Sequence, residues 1–421
     1  MTTTLTPVLP ADADVLIVGA GPAGLTLAAE LTRLGVAHVV IDRQEEIRPG
    51  TRAAAIQPRT LEALEPLGVV ERLVGAGVRG AGFQVHDGER SLLRAAYDGL
   101  ETPYPYMLLI SQQTTEELLE RRLHELGGGV RRGFRLLTTA PDHSGVTATI
   151  AAASDGSLHA VHARYVVGAD GVHSRVRELA GIEFPGDASE QLYALADFRL
   201  GRGSVAAALT DTTFFLSTHG MLLVSPLADS LHRVVASVPP GTPAPSTEVV
   251  EALLAVRGPR TGAPARVAEL VAASTYRVQE RVAERMSRGV YFLIGDAAHT
   301  HSPAGGQGMN TGIQDAVNLA GKLYAVVVGG APGETLEGYN SERRPVAERL
   351  VAFTAQIARL ALVRDPVAAR LRDDVIAAAA TAPGLTDWLA TRLAQLDIPL
   401  AEQPALPATL PALPTLPALS A

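Results

Sequence analysis

The 421-residue chain contains no cysteine and a single lysine, Lys322. Without thiols there is no disulfide framework, no zinc ribbon, no thiolate nucleophile and no dithiol redox pair. One lysine leaves little room for a P-loop or a Schiff-base enzyme. A basic block is missing too: Lys and Arg number 36 against 44 Asp and Glu, a formal net charge of −8. Neutralising phosphates along a nucleic acid needs clustered cations, so no nucleic-acid partner is expected. The first residues carry neither a basic n-region nor an apolar h-region, so no signal peptide is expected. The apolar stretch Val15 to Ala29 is interrupted by three glycines and a proline, which argues against a membrane span. A cytoplasmic protein is the default expectation. The chemistry must then rest on carboxylate, imidazole, guanidinium, hydroxyl, backbone amides or a bound cofactor.

What is present is a globular composition, 47% hydrophobic and 19% charged, long enough for two to three domains at about 150 residues each. The apolar run Val15–Val18 reads as a strand, followed by Gly19-Ala20-Gly21-Pro22-Ala23-Gly24, a helix from Pro22 to Leu34, and a second strand Val36–Ile41 ending at Asp42. Further on, helices are expected at 58–74, 115–126 and 249–256, and strands at Phe83–His86, Tyr165–Val167 and Val290–Ile294. Between residues 192 and 238 four strands follow one another without a helix: Tyr193–Leu200, Thr213–Ser217, Met221–Ser225 and Arg233–Val238. Such a run suggests an antiparallel sheet inserted into the first domain. A long helix is expected from about Thr311, and helical pattern from about Ser341 to Ala380. The last stretch repeats Leu-Pro without a charge and reads as a weakly ordered, polyproline-like tail.

Gly19-x-Gly21-x-x-Gly24 lies between a strand and a helix, the context that gives the pattern meaning. Gly19 permits the tight turn, Gly21 lets the backbone approach a pyrophosphate, and Gly24 allows close helix packing. The helix N-terminus, with Pro22 and Ala23, offers amides and a positive dipole end. Asp42, 23 residues after Gly19 and followed by Arg43, can bond an adenosine ribose. This suits FAD or NAD better than NADP. Gly75-x-Gly77-x-x-Gly80 has the same spacing but follows a helix and precedes a strand, so it is rejected.

Two more segments bear on the choice between FAD and NAD. The strand ending at Ile294 runs into Gly295-Asp296-Ala-Ala-His299 and then Ser302-Pro303-Ala-Gly305-Gly306-Gln-Gly308-Met309-Asn310. Asp296 can accept hydrogen bonds from a polyol, and the loop feeds the N-terminus of the following helix. Upstream stands Gly168-Ala-Asp170-Gly171-Val-His-Ser174-Arg175-Val-Arg177. With these three motifs in order, residues 14 to 355 resemble the FAD-dependent aromatic hydroxylases, the class A flavoprotein monooxygenases of the para-hydroxybenzoate hydroxylase fold. Gly295-Asp296 and Pro303 to Asn310 are similar to that family's second FAD motif, and Asp170-Gly171 to its Asp-Gly motif. Arg52 and Gln112 match positions that touch the flavin there.

The resemblance implies an α/β fold: a Rossmann-like βαβ domain for FAD, an inserted antiparallel-sheet domain for substrate, and a helical C-terminal segment. The boundaries read as 1–78, 107–183 and 282–341 for FAD; 79–106 and 184–281 for substrate; 342–398 for the C-terminal helices; and 399–421 for the tail. It implies non-covalent FAD, NADH or NADPH as co-substrate, dioxygen, an aromatic small-molecule substrate, and a monomer or homodimer. Oxygen would pass from a flavin C4a-hydroperoxide to an electron-rich, aromatic or polyketide-like carbon. Pro303, Gly305 and Arg52 are the implied catalytic residues. Gly19, Gly21, Pro22, Ala23, Gly24, Asp42, Arg43, Arg52, Gln112, Asp170, Gly295, Asp296, Pro303, Gly306, Gly308, Met309 and Asn310 are the implied cofactor contacts. No metal is expected: His299 is read as packing beneath the loop, and His301 as incidental. Asp170 with Arg177 has an alternative reading as a structural ion pair. The alternatives for the whole chain are an FAD oxidoreductase that inserts no oxygen, or an FAD-containing cyclase or scaffold. Relatives acting on large polyketides often carry a thioredoxin-like C-terminal domain, and none is expected after Val363.

Overall fold

The computed structural model describes residues 9–47, 53–88, 90–201, 209–259, 265–303, 305–401 and 404, with backbone only at 188–190. The expected tail and Arg52 lie outside the described residues. The opening βαβ unit forms as read: strand Asp12–Val18, helix Pro22–Arg33, strand His38–Asp42. The first strand is central, parallel to His38–Asp42 on one side and to Leu158–Gly168 on the other. Val130–Arg132 and Tyr291–Leu293 extend this parallel sheet outward. Both sides are covered, so the strands are apolar runs: Val15, Leu16 and Ile17 are fully buried.

The second sheet has eight strands: His299–Thr300, Val267–Val282, Gly186–Leu200, Leu231–Val238, Leu222–Pro226, Thr212–Leu216, Gly82–Asp87 and Arg90–Ala96, in that spatial order. The four-strand run anticipated from sequence is its centre. The sheet is not wholly antiparallel, however, because Thr212–Leu216 runs parallel to Gly82–Asp87. A third, small sheet joins Ala55–Ile56, Met107–Leu109 and Val78–Gly80.

Several local expectations change. The 58–74 helix is three pieces, Pro58–Leu64, the 3-10 turn Glu65–Leu67 and Val70–Ala76; Pro66 and the left-handed Gly68 interrupt it. The long helix begins at Gly308, a turn earlier than read. The stretch 341–380 divides into Glu337–Ala361 and Pro366–Ala379. There Asp365 caps the second helix by accepting a hydrogen bond from the Ala368 amide at 2.8 Å, with Pro366 at its first position. The strand at Tyr165 begins at Leu158 and carries an antiparallel excursion, Phe134–Pro141 and Val146–Ala152, on its first half. The rejected glycine pattern at 75–80 does run from helix to strand. No helix among the described residues is long and apolar enough to cross a membrane.

Candidate active site

The glycine turn is set by steric necessity. Gly19 has φ +108°, and a Cβ there would stand 2.3 Å from the Ala169 carbonyl oxygen. A Cβ on Gly24 would lie 2.0 Å from the Gly19 oxygen and 3.2 Å from the Ala169 Cβ, so helix and strand touch through these two positions. At Gly21, by contrast, a Cβ would meet nothing within 4 Å. That open side is where a ligand can approach the backbone. The helix that starts at Pro22 has no side-chain cap, so its amides face outward unpaid by protein groups.

A cavity of about 490 Å³ opens beside this turn, lined by Gly19, Asp42, Arg43, Asp170, Gly171 and Arg175 among others. Asp42 accepts hydrogen bonds from the Ala20 amide at 2.6 Å and the Gln44 amide at 2.7 Å. Asp170 accepts from the Arg175 and Val176 amides through Oδ2, at 2.7 and 3.2 Å. Its Oδ1 is buried with no partner, and burial raises the pKa of the carboxyl. A buried acceptor without a donor is costly unless a ligand supplies one. The ion pair between Asp170 and Arg177 does not form. Arg177 instead donates to the Ala297 and Val172 carbonyls, both at 2.8 Å, and lies 3.9 Å over the Phe184 ring.

A second cavity, of about 380 Å³, lies between the Pro303–Met309 segment and the eight-stranded sheet. Its floor carries Asp296, Pro303, Gly305, Gly306, Gly308 and Met309, and His173 borders both cavities. Asp296 is the exposed residue in a buried run from Tyr291 to Thr300, and its carboxylate makes no hydrogen bond to a described residue. Gly305 and Gly306 both adopt left-handed φ, +85° and +62°, which a side chain would strain. The helix from Gly308 again lacks a side-chain cap. The opposite wall carries Phe83, Phe214, Met221, Leu223 and Val235, with Thr212, Ser225 and Arg233 among them. Phe214 and Leu223 face the cavity while Phe215 packs behind the sheet with Leu222 and Val224, as alternation along a strand requires.

Gly21, Pro22, Ala23, Gly24, Gln112, Gly295 and Asn310 line neither cavity; Gly21 presents an open backbone face, and the others build the frame. Asn310 spends its side chain on protein: Oδ1 accepts from the Gln57 amide at 2.8 Å, and Nδ2 donates to the Ala55 and Gly306 carbonyls. The Gly295 turn rests on a buried network. His299 Nε2 is 2.8 Å from Asp315 Oδ2, which also accepts from the Gly295 amide, and Arg343 Nε donates to Oδ1 at 2.7 Å. Burial opposes ionisation of Asp315, but Arg343 and His299 outweigh it and hold the pKa low. His301 is not incidental. It borders the second cavity, its Nδ1 lies 2.7 Å from the Ser302 carbonyl, and burial lowers it to about 4. The ring is therefore neutral and has its donor on Nδ1.

Gln112 sits under the segment that leads out of Arg52. Its amide donates to the Ala53 carbonyl at 3.1 Å and its Oε1 accepts from the Ala53 amide at 3.3 Å. Its Nε2 donates to Glu116 at 2.8 Å. Burial pushes the Glu116 carboxyl from 4.5 up to about 7. The unfolded chain releases this proton near the ordinary value while the folded chain retains it. The stability present below that value is thus lost as pH rises through the folded pKa. Glu116→Gln should therefore unfold at higher urea than the parent, by roughly 2 kcal/mol at about pH 8, with no gain at about pH 4.

Sequence reading missed two groups. Arg233 lines the second cavity, 1% exposed, pairs with Asp197 through two 2.6 Å bonds, and donates to the Ala53 carbonyl at 2.6 Å. Gln307 Nε2 donates to the Gly305 and Leu393 carbonyls, so the C-terminal helices reach the glycine loop. The signal for Arg233 was an arginine in a buried strand whose other residues, His232 and Ser237 aside, are apolar.

The open face at Gly21, the donorless Asp170 Oδ1, the free Asp296 carboxylate and two uncapped helix N-termini fit FAD stretched across both cavities. A family profile described as FAD binding domain matches residues 12–354. The chain belongs to the FAD-dependent aromatic hydroxylase family. It is 41% identical over 367 residues to 6-methylpretetramide 4-monooxygenase of Streptomyces rimosus, a match covering 86% of this chain and 65% of that protein. The chain thus spans about two thirds of that relative's length. Among solved structures it resembles the anhydrotetracycline hydroxylase of Streptomyces rimosus, with TM-score 0.77 and 33% identity, over 92% of this chain and 76% of the other. It also resembles the Diels–Alderase of pyrroindomycin biosynthesis, with TM-score 0.75 and 28% identity, over 91% and 80% of the two chains.

Proposed function

We propose that the protein is a single-component FAD-dependent monooxygenase, using NADH or NADPH and dioxygen to hydroxylate an aromatic or polyketide-like small molecule. The observation that carries this reading is the second cavity. A free carboxylate and an uncapped helix N-terminus meet a wall of Phe83, Phe214, Met221 and Leu223 there. When bound, FAD supplies hydride acceptance and oxygen activation, which the side chains of a chain without cysteine cannot. Asp296 would accept from the ribityl hydroxyls, and the Gly308 helix end would face the pyrimidine edge, where negative charge gathers. Pro303 and Gly305 would floor the reaction space, and Arg52 would be the third catalytic residue. The apolar residues of that wall exclude water and stack an aromatic ring.

In this reading 1–78, 107–183 and 282–341 hold FAD, while 79–106 and 184–281 cover the substrate. Residues 342–398 brace the loop through Leu393. The protein works in the cytoplasm as a monomer or homodimer. A non-redox cyclase is the second reading, favoured by the likeness to a Diels–Alderase. Oxygen uptake by the FAD-loaded protein, measured with NADH or NADPH and a panel of aromatic compounds, separates the two. Substrate-stimulated uptake with a product one oxygen heavier supports the monooxygenase. Conversion to an isomer of unchanged mass, without uptake, supports the cyclase.

A further inference from the structure

The helix Pro366–Ala379 is apolar on the side it turns away from the protein. Ala369, Arg372 and Asp373 are buried on its inner face, yet Val367, Leu371 and Val375 are 80%, 65% and 57% exposed. Their spacing of four residues places them in one stripe along the helix. A stripe of large aliphatic side chains in water is a standing cost, and such patches mark contact surfaces.

The same chain carries a segment suited to it. From Gln403 onward no residue is charged, and Leu410, Leu413, Leu416 and Leu419 recur every third position beside Pro411, Pro414 and Pro417. Three residues make one turn of a polyproline II helix, so this repeat would set the leucines on one edge and the prolines on another. Leu410 to Leu416 would span about 19 Å at 3.1 Å per residue, and Val367 to Val375 spans about 12 Å at 1.5 Å per residue. The leucine edge is therefore long enough to cover the stripe. The tether from Pro404 to Leu410 would reach about 19 Å when extended, and the helices Leu385–Leu393 and Pro366–Ala379 both pack on the strand Arg90–Ala96. Prolines reduce the freedom lost on docking; the segment holds no charge, and of the exposed charges flanking the stripe, Arg370 and Asp374, the latter is already paired with Arg90.

We infer that the Leu-Pro segment folds back in cis and docks on the Val367–Leu371–Val375 stripe. The absence of native cysteine makes the test clean: Leu371→Cys introduces the sole thiol. Its reaction rate with a maleimide is compared in three FAD-loaded chains: full length, ended after Ala401, and full length with Leu410, Leu413 and Leu416 changed to serine. Docking predicts labelling about tenfold slower in the full-length chain than in either variant, independent of protein concentration. Equal rates in the full-length and serine chains overturn the proposal. Protection that fades on dilution also overturns it, and points to a second copy as the occupant. Ala369→Cys, at a position 4% exposed, stays unreactive wherever the fold is intact. Should the shortened chain open, the serine variant alone decides.

Discussion

Gly24→Ala is expected to lose FAD and to unfold at markedly lower urea, by about 3 kcal/mol. The added methyl would stand 2.0 Å from the Gly19 carbonyl oxygen and 3.2 Å from the Ala169 Cβ. The first of these is backbone in the central turn and the second a packed methyl, so no flexible side chain can swing aside. The helix must move off the sheet, and its first amides turn away from the cavity beside Asp42 and Asp170. Gly21→Ala is the contrasting control. Nothing lies within 4 Å of that methyl, and Gly21 has φ −75° and ψ −176°, an extended conformation open to any residue. Its stability should match the parent while FAD binding weakens, because the methyl occupies ligand space only. Urea unfolding and FAD titration of the two variants check both halves.

Arg233→Met should cost about 3–5 kcal/mol, because it strands the Asp197 carboxylate inside the sheet. Asp197 is 5% exposed, and Arg233 stands directly opposite it on the neighbouring strand. The substitution also frees the Ala53 carbonyl on one side, leaving it to the Gln112 amide. The double variant Asp197→Leu with Arg233→Met keeps volume without a stranded charge and should recover most of the stability in urea. Its FAD affinity should stay below the parent's, since the clamp on Ala53 is not restored.

The parts of this molecule legible in its sequence are those whose signals are local. Strand, glycine turn, helix and acid succeed one another between Val15 and Asp42, and each step is enforced by neighbours in the chain or by Ala169 across the turn. The Gly295–Asp296 turn and the loop to Gly308 read equally well, for the same reason. What escaped is non-local. The 16-residue strand Val267–Val282 carries Glu269, Arg277, Glu280 and Arg281 and shows no clean alternation of burial. It is a strand because it pairs with Gly186–Leu200, some 80 positions earlier. The Asp197–Arg233 pair spans strands that are not consecutive, so no turn signal announced their register. For Phe214 and Phe215 the period of two was plain, but which of them faced the cavity depended on the loop from Pro303 lying opposite. Asn310 reads as loop but sits in the first turn of the helix from Gly308, where its side chain is held by Gln57 and Ala55, about 250 residues away.

We propose that FAD lies across the two cavities and is retained through Asp296. The most direct test is a titration of the purified, FAD-stripped protein with FAD, following flavin fluorescence, alongside Asp296→Ala. We predict saturable binding of one FAD per chain and markedly weaker retention in the variant, whose fold and urea midpoint are unchanged. A parent protein that stays colourless and binds no FAD, or an Asp296→Ala variant that fills with FAD as tightly as the parent, would contradict it.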